Sequence, residues 1–172
     1  MSATEEYIER LECLKPGELG LLRTHAGQRL DESVEGFDLF TGLWWPLREK
    51  SQKAPRREVA WMIAKLYAFR PIPCRADLTL ARQLRTCEPK DAKDDRAKQR
   101  FREKFDELLT LPLGSMEPPL RWALDELRLL KSVGVDWVKL TDDLSIWERE
   151  STRLRWAEQF LRTDEKGEDH AD

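Results

Sequence analysis

The side chains of this chain whose type and spacing could do chemistry are its arginines and lysines. Lys53, Arg56 and Arg57 cluster at an expected helix start. Arg82 and Arg85 stand three apart, so they share one helix face. Arg121, Arg128 and Lys131 follow at spacings of seven and three, again one face. Arg149 and Arg153 stand at i, i+4, with Arg155 beside them. A bundle that aligns such faces presents a strip of charge able to follow a phosphate backbone, a contact that needs cations and no base reading. Ordinary surface charge, paired with neighbouring Asp and Glu, has the same spacing, and both readings stand.

Other chemistries find less support. A Ser-His-Asp arrangement needs a placed histidine. His25 ends a short helix with no Ser or Cys motif nearby, and His170 lies in a polar tail. The acidic pairs Asp142-Asp143 and Glu5-Glu6 read as solvated faces rather than acid/base pairs. No glycine-rich phosphate loop occurs. Cys13, Cys74 and Cys87 form no C-x-x-C and lie far in sequence from both histidines, so no metal site and no cofactor are expected. The three thiols read as reduced, which fits a cytoplasmic protein. The chain is expected not to be an enzyme.

The elements that must position the cations are helical. At 172 residues, with 37% charged residues and seven Trp, the chain can bury a real core, roughly 70% of its unfolded surface. No segment approaches a membrane span, and the acidic start lacks the form of a signal peptide. Net charge is −3, but it is unevenly spread. Residues 41–110 hold 17 basic and 10 acidic side chains, a local +7.

Apolar periodicity predicts helices over Glu5–Leu14, Glu18–His25 and Phe37–Leu47, the third helical until Pro46. Further helices are expected over Arg56–Phe69, over Leu78–Arg85 with Asp77 as cap, and from about Asp94 to Leu111. Pro119 is expected to start a helix that ends at Gly134, a left-handed C-terminal cap. Asp136 should cap the next helix, and the last should run from about Glu150 to Leu161, carrying Leu154, Trp156, Ala157 and Phe160. The sum is an all-α protein of about eight or nine helices. Its domains would be an N-terminal helical subdomain, 1–111, and a C-terminal bundle, 112–163, divided near Pro112–Pro119, with a disordered acidic tail, 164–172. Trp61, Trp122, Trp137, Trp147 and Trp156 suit core positions. Trp44 and Trp45 cannot both point inward, so one marks an interface or a base-stacking surface.

The pattern V-D-W-x-x-L-x-x-D-L-x-x-W from Val135, followed by R-x-R-W-A-x-x-F from Arg153, resembles the CasB family, the small subunits of the type I-E CRISPR surveillance complex, Cascade. L-L-R-T-H-A-G near Arg23, F-D-L-F-T-G-L-W-W-P from Phe37 and L-A-R-Q-L-R from Leu80 look similar too, and the order of elements is alike from about Glu5 to Arg162. The resemblance implies a non-catalytic scaffold of two helical subdomains. Two copies would pack head to tail beside the crRNA backbone subunits and the large subunit. Their basic faces would hold crRNA, target DNA and the displaced non-target strand. Within matching blocks it implies nucleic-acid contact by Arg23, Arg56, Arg82, Arg85, Arg121, Arg128 and Arg153; Lys53, Arg57, Lys131, Arg149 and Arg155 join on charge alone. One departure is the sequence pI near 5.6, where many family members are basic. The alternative is a purely structural helical adaptor that touches only protein.

Overall fold

The computed structural model describes residues 1–30, 34–90, 93, 95–131 and 133–161. Among them are nine α-helices: α1 (Ala3–Glu12), α2 (Pro16–Thr24), α3 (Val34–Lys50), α4 (Arg57–Phe69), α5 (Leu80–Cys87), α6 (Asp95–Thr110), α7 (Glu117–Leu127), α8 (Trp137–Ser145) and α9 (Glu150–Leu161). The protein is all-α. The expected disordered tail, 164–172, and the expected α6 start at Asp94 lie outside the described residues.

Helix α4 is the centre. Its residues from Val59 to Ala68 are all buried, the pattern of a helix enclosed on every side. Around it pack α2, α3, α7 and α8, while α5 lies between α7 and α9. Buried aromatics tie the layers through their polar tips. Tyr7 donates from its hydroxyl to the Ala60 carbonyl at 2.6 Å. Trp137 Nε1 donates to Ile72 O at 2.8 Å and Trp147 Nε1 to Leu111 O at 2.9 Å. Such bonds let a large ring be buried without stranding its donor. Trp61, Trp137, Trp147 and Trp156 are core residues, whereas Trp122 is half-buried.

Local rules fix several helix ends. Ser2 and Glu5 form a capping box on α1, with Glu5 N donating to Ser2 Oγ at 3.1 Å and Ser2 N to Glu5 Oε2 at 2.5 Å. Asp136 caps α8 as expected, accepting from Lys139 N at 2.9 Å. Helix α9 has the bounds read from its spacing.

Four expectations fail for identifiable reasons. Pro46 does not end α3, which continues to Lys50; the continuation buries Leu47 at 1% exposure, which offsets the missing N–H. Asp77 does not cap α5. The helix starts at Leu80, with Thr79 ahead of it. Asp77 instead turns the chain at φ 69°, its N–H donating to Asp136 Oδ2 at 3.1 Å. Helix α7 begins at Glu117 and ends at Leu127, not at Gly134. Beyond it Val135 pairs with Cys74 in a parallel bridge. Gly134 serves packing, since a Cβ there would meet Arg75 Cδ at 2.6 Å. Leu154 faces solvent at 56% exposure, because the buried side of α9 is formed by Thr152, Trp156 and Phe160.

Candidate nucleic-acid interface

The structure sorts the twelve candidate cations into groups that sequence distance hides. Lys53, Arg56 and Arg57 are exposed where the chain enters α4. Arg56 Nη2 reaches Glu148 Oε1 at 3.1 Å, across 92 positions. That contact brings the start of α4 beside the α8–α9 turn; Lys53 and Arg57 flank it on one side in sequence and Arg149 on the other, all three exposed. The Glu148 carboxyl is held below the usual carboxylate range by its own backbone N–H first and by Arg56 second. The pair is exposed, and such pairs orient more than they stabilise. Arg153, one turn further along α9, is half-buried, and its Nε lacks a hydrogen-bond partner.

A second group surrounds the Phe69 ring at the end of α4. Arg121 lies 4.4 Å from its centroid and Arg70 lies 4.7 Å from it. Arg70 also binds Asp125 Oδ1 through Nε at 2.9 Å and Nη2 at 2.5 Å. Arg23 donates from Nε to Ala68 O at 2.6 Å. Three guanidinium groups therefore share one aromatic residue and its neighbours, with Asp125 their one carboxylate partner among the described residues. Arg70 is the member that sequence reasoning missed. It reads there only as a helix stop before Pro71, and no spacing rule links it to Arg23 or Arg121.

The remaining candidates divide. Arg85 is committed to the fold, its Nη1 donating to Phe160 O at 2.6 Å. Its neighbour Arg82 is exposed. Arg155 is drawn inward to Asp143, which also accepts from Trp156 Nε1 at 2.8 Å and lies 3.4 Å from Lys139 Nζ. Asp143 is 3% exposed, so the expected solvated Asp142-Asp143 face is corrected for this residue. Its carboxylate is a buried anchor, sequestered because three donors replace water. Arg128 and Lys131 are exposed, but α7 ends before both, so they share no helix face with Arg121.

Lys53, Arg57, Arg82, Arg128, Lys131 and Arg149 thus keep side-chain charges without an ion-pair partner among the described residues. A different surface is acidic. Glu5, Glu9 and Glu12 line a cleft of about 410 Å³ with Met1, Ile8 and Cys74. No group of three or more potential metal ligands occurs among the described residues. Nor is any described helix long and apolar enough to cross a membrane.

Residues 18–161 match the family model described as CRISPR-associated protein Cse2. The fold is similar to the crystal structure of CasB from Thermus thermophilus, with 23% identity over 93% of this chain and 98% of that one at a TM-score of 0.64. It is similar also to M. ruber CasB, with 18% identity over 93% of each chain and a TM-score of 0.70. CasB from Thermobifida fusca gives 15% identity, 92% and 96% coverage and a TM-score of 0.69. Among curated proteins no sequence matches.

Proposed function

The chain belongs to the CRISPR-associated protein Cse2 family, and on that premise we propose that it is a non-catalytic small subunit of the type I-E RNA-guided surveillance complex, Cascade, and holds nucleic acid on its exposed basic surface. The observation that carries this reading is the Arg56–Glu148 contact, which draws together two chain segments whose neighbouring cations, Lys53 and Arg57 on one and Arg149 on the other, are exposed. Exposed cations brought near one another from distant parts of a chain supply the sequence-independent attraction that a phosphate backbone needs. In the cytoplasm this surface would stabilise crRNA, target DNA and the displaced non-target strand. Exchange of a DNA duplex for an RNA–DNA heteroduplex is nearly balanced, so contacts to the backbone tip it. Partners would be the backbone and large subunits and a second copy of this chain.

A second reading, a helical adaptor that touches only protein, draws support from Arg23, Arg85 and Arg155, whose guanidinium groups hold this chain's own fold. Target-DNA binding by the reconstituted complex separates the two. It is measured over a salt series with wild-type protein, without the subunit, and with Lys53, Arg57 and Arg149 all changed to Ala. The nucleic-acid reading expects the triple variant to assemble, bind more weakly and lower the salt slope by about 2 to 3. A variant that assembles and binds like wild type, while omission weakens binding, establishes the adaptor.

A further inference from the structure

Helix α3 carries an outward ridge that phosphate binding does not explain. Phe37 is 42% exposed and Trp45 is 52% exposed. Thr41 lies between them at i+4, so the three stand on one side of the helix, with the Phe37 and Trp45 Cα positions about 12 Å apart along its axis. Trp45 stands on a fixed base. Its ring lies 6.0 Å from that of Trp44, which stacks on buried Phe40 at 5.6 Å and donates from Nε1 to Pro55 O at 2.7 Å. Two large aromatics held in water on one helix mark a contact surface.

The rim of the ridge decides what it contacts. Asp38 adjoins Phe37, and Glu49 lies one turn beyond Trp45. Both are exposed, and neither has an ion-pair partner among the described residues. On the other edge, Arg48 turns its Nη1 to the carbonyls of Gln52 at 2.8 Å and Ala54 at 3.1 Å. Carboxylates along an aromatic ridge repel a phosphate backbone and attract ammonium or guanidinium groups, which also lie well over an indole face.

We propose that Phe37, Thr41 and Trp45, edged by Asp38 and Glu49, form a protein-docking face. Its partner is another subunit of the complex, one that offers an apolar pocket rimmed by Arg or Lys. Aromatic side chains set in such pockets dominate interface energy, and the rim charges set orientation. The face adjoins the basic surface, since Trp44 and Arg48 bond the Gln52–Pro55 loop that carries Lys53. The proposal rests on family membership and not on the phosphate reading.

The test uses the full chain, with the remaining type I-E subunits assembled on crRNA as the probe. Trp45→Ala and the pair Asp38→Lys with Glu49→Lys are compared with wild type for incorporation, and circular dichroism confirms that each is folded. Each is expected to weaken incorporation at least tenfold, the charge reversal less so at high salt. Lys98→Ala with Arg100→Ala, exposed on α6 and outside both surfaces, should incorporate normally. Wild-type incorporation by both α3 variants overturns the proposal. So does a Trp45 cross-link to 5-iodouridine in the displaced strand, which would make a base the occupant. Loss of self-association with normal incorporation overturns it too, in favour of a second copy. Target-DNA binding by the Lys53/Arg57/Arg149 variant bears on the phosphate reading alone, so the two can fail separately.

Discussion

Lys65 and Glu117 form a buried ion pair, Nζ to Oε2 at 2.7 Å, with side chains only 4% and 11% exposed. The other carboxylate oxygen accepts the Gly27 N–H at 2.8 Å, and Lys65 also donates to Gln28 O at 2.7 Å. The Trp61 ring lies 5.2 Å from the ammonium. One pair thus joins α4, the turn after α2 and the first turn of α7. Lys65 lies inside a helix buried on all sides, where a charge without such partners would not be tolerated.

Breaking one side of this pair strands the other charge. Lys65→Met or Glu117→Gln should each cost about 3–5 kcal/mol in urea unfolding. Replacing both residues by Met should cost clearly less than the sum of the single changes. Additive losses would show that the two charges are stabilised independently.

Asp143 serves the same purpose between α8 and α9. Asp143→Ala removes the acceptor of Trp156 Nε1 and the partner of Arg155, and about 3 kcal/mol of stability should go with it. Asp143→Asn should lose less, since its amide oxygen still accepts from one donor. A thermal melt of both variants checks the order.

Gly36 sets a different limit. A Cβ there would meet His25 Cδ2 at 2.7 Å and Trp61 Cη2 at 2.9 Å. Trp61 is held by its Nε1 bond to Gln28 O at 2.9 Å and cannot swing away freely. Gly36→Ala should destabilise by about 1–3 kcal/mol. Gly42→Ala, on the same helix with open space around it, should leave stability unchanged or raise it by up to about 1 kcal/mol.

What could be read in advance follows the range of the physics. The 3.6-residue period over 150–161 gave the bounds of α9, and an Asp before an apolar run gave the α8 cap, because both signals are local. Trp44 and Trp45 had to diverge for the same reason, and Trp45 is the exposed one. Pro46, Asp77 and Gly134 misled because each was assigned its commonest local role. In the fold, packing of Leu47, the Asp136 carboxylate and the Arg75 side chain decide them instead. Of the candidate interface, the presence of cations was legible and their grouping was not. The Arg56–Glu148 contact spans 92 positions, and the arginines around Phe69 come from three elements, α2, the end of α4 and α7. Nor does sequence show which arginines face inward, as Arg85 and Arg155 do.

Thiol reactivity should follow burial. Cys13 is exposed, while Cys74 and Cys87 are half-buried. Burial is the main cause that pushes both of the latter thiols above the ordinary range. Less thiolate at neutral pH means slower attack. Iodoacetamide at pH 7.5 should therefore alkylate Cys13 at least tenfold faster than the other two, read by peptide mass mapping. Raising the pH past the ordinary thiol range should leave Cys74 and Cys87 still lagging. Equal rates at pH 7.5 would mean that the regions around Cys74 and Cys87 open readily.

The arginines that hold the fold and the cations that stand free should separate by measurement. Arg85→Ala removes a bond to the last turn of α9, and Arg23→Ala leaves the Ala68 carbonyl without its side-chain donor. Each should lower unfolding free energy by about 1–2 kcal/mol and leave the salt dependence of target binding by the assembled complex unchanged. The Lys53, Arg57 and Arg149 side chains have no hydrogen-bond or ion-pair partner among the described residues, so their Ala variants should stay within about 0.5 kcal/mol of wild type. Each should nevertheless reduce the salt slope by about 0.7 to 0.9 if its charge meets a phosphate. A reduced slope for Arg23→Ala or Arg85→Ala at unchanged stability would reverse the assignment. The guanidinium nitrogens that point away from the fold would then belong to the phosphate surface, and their bonds to Ala68 and Phe160 would serve to aim them.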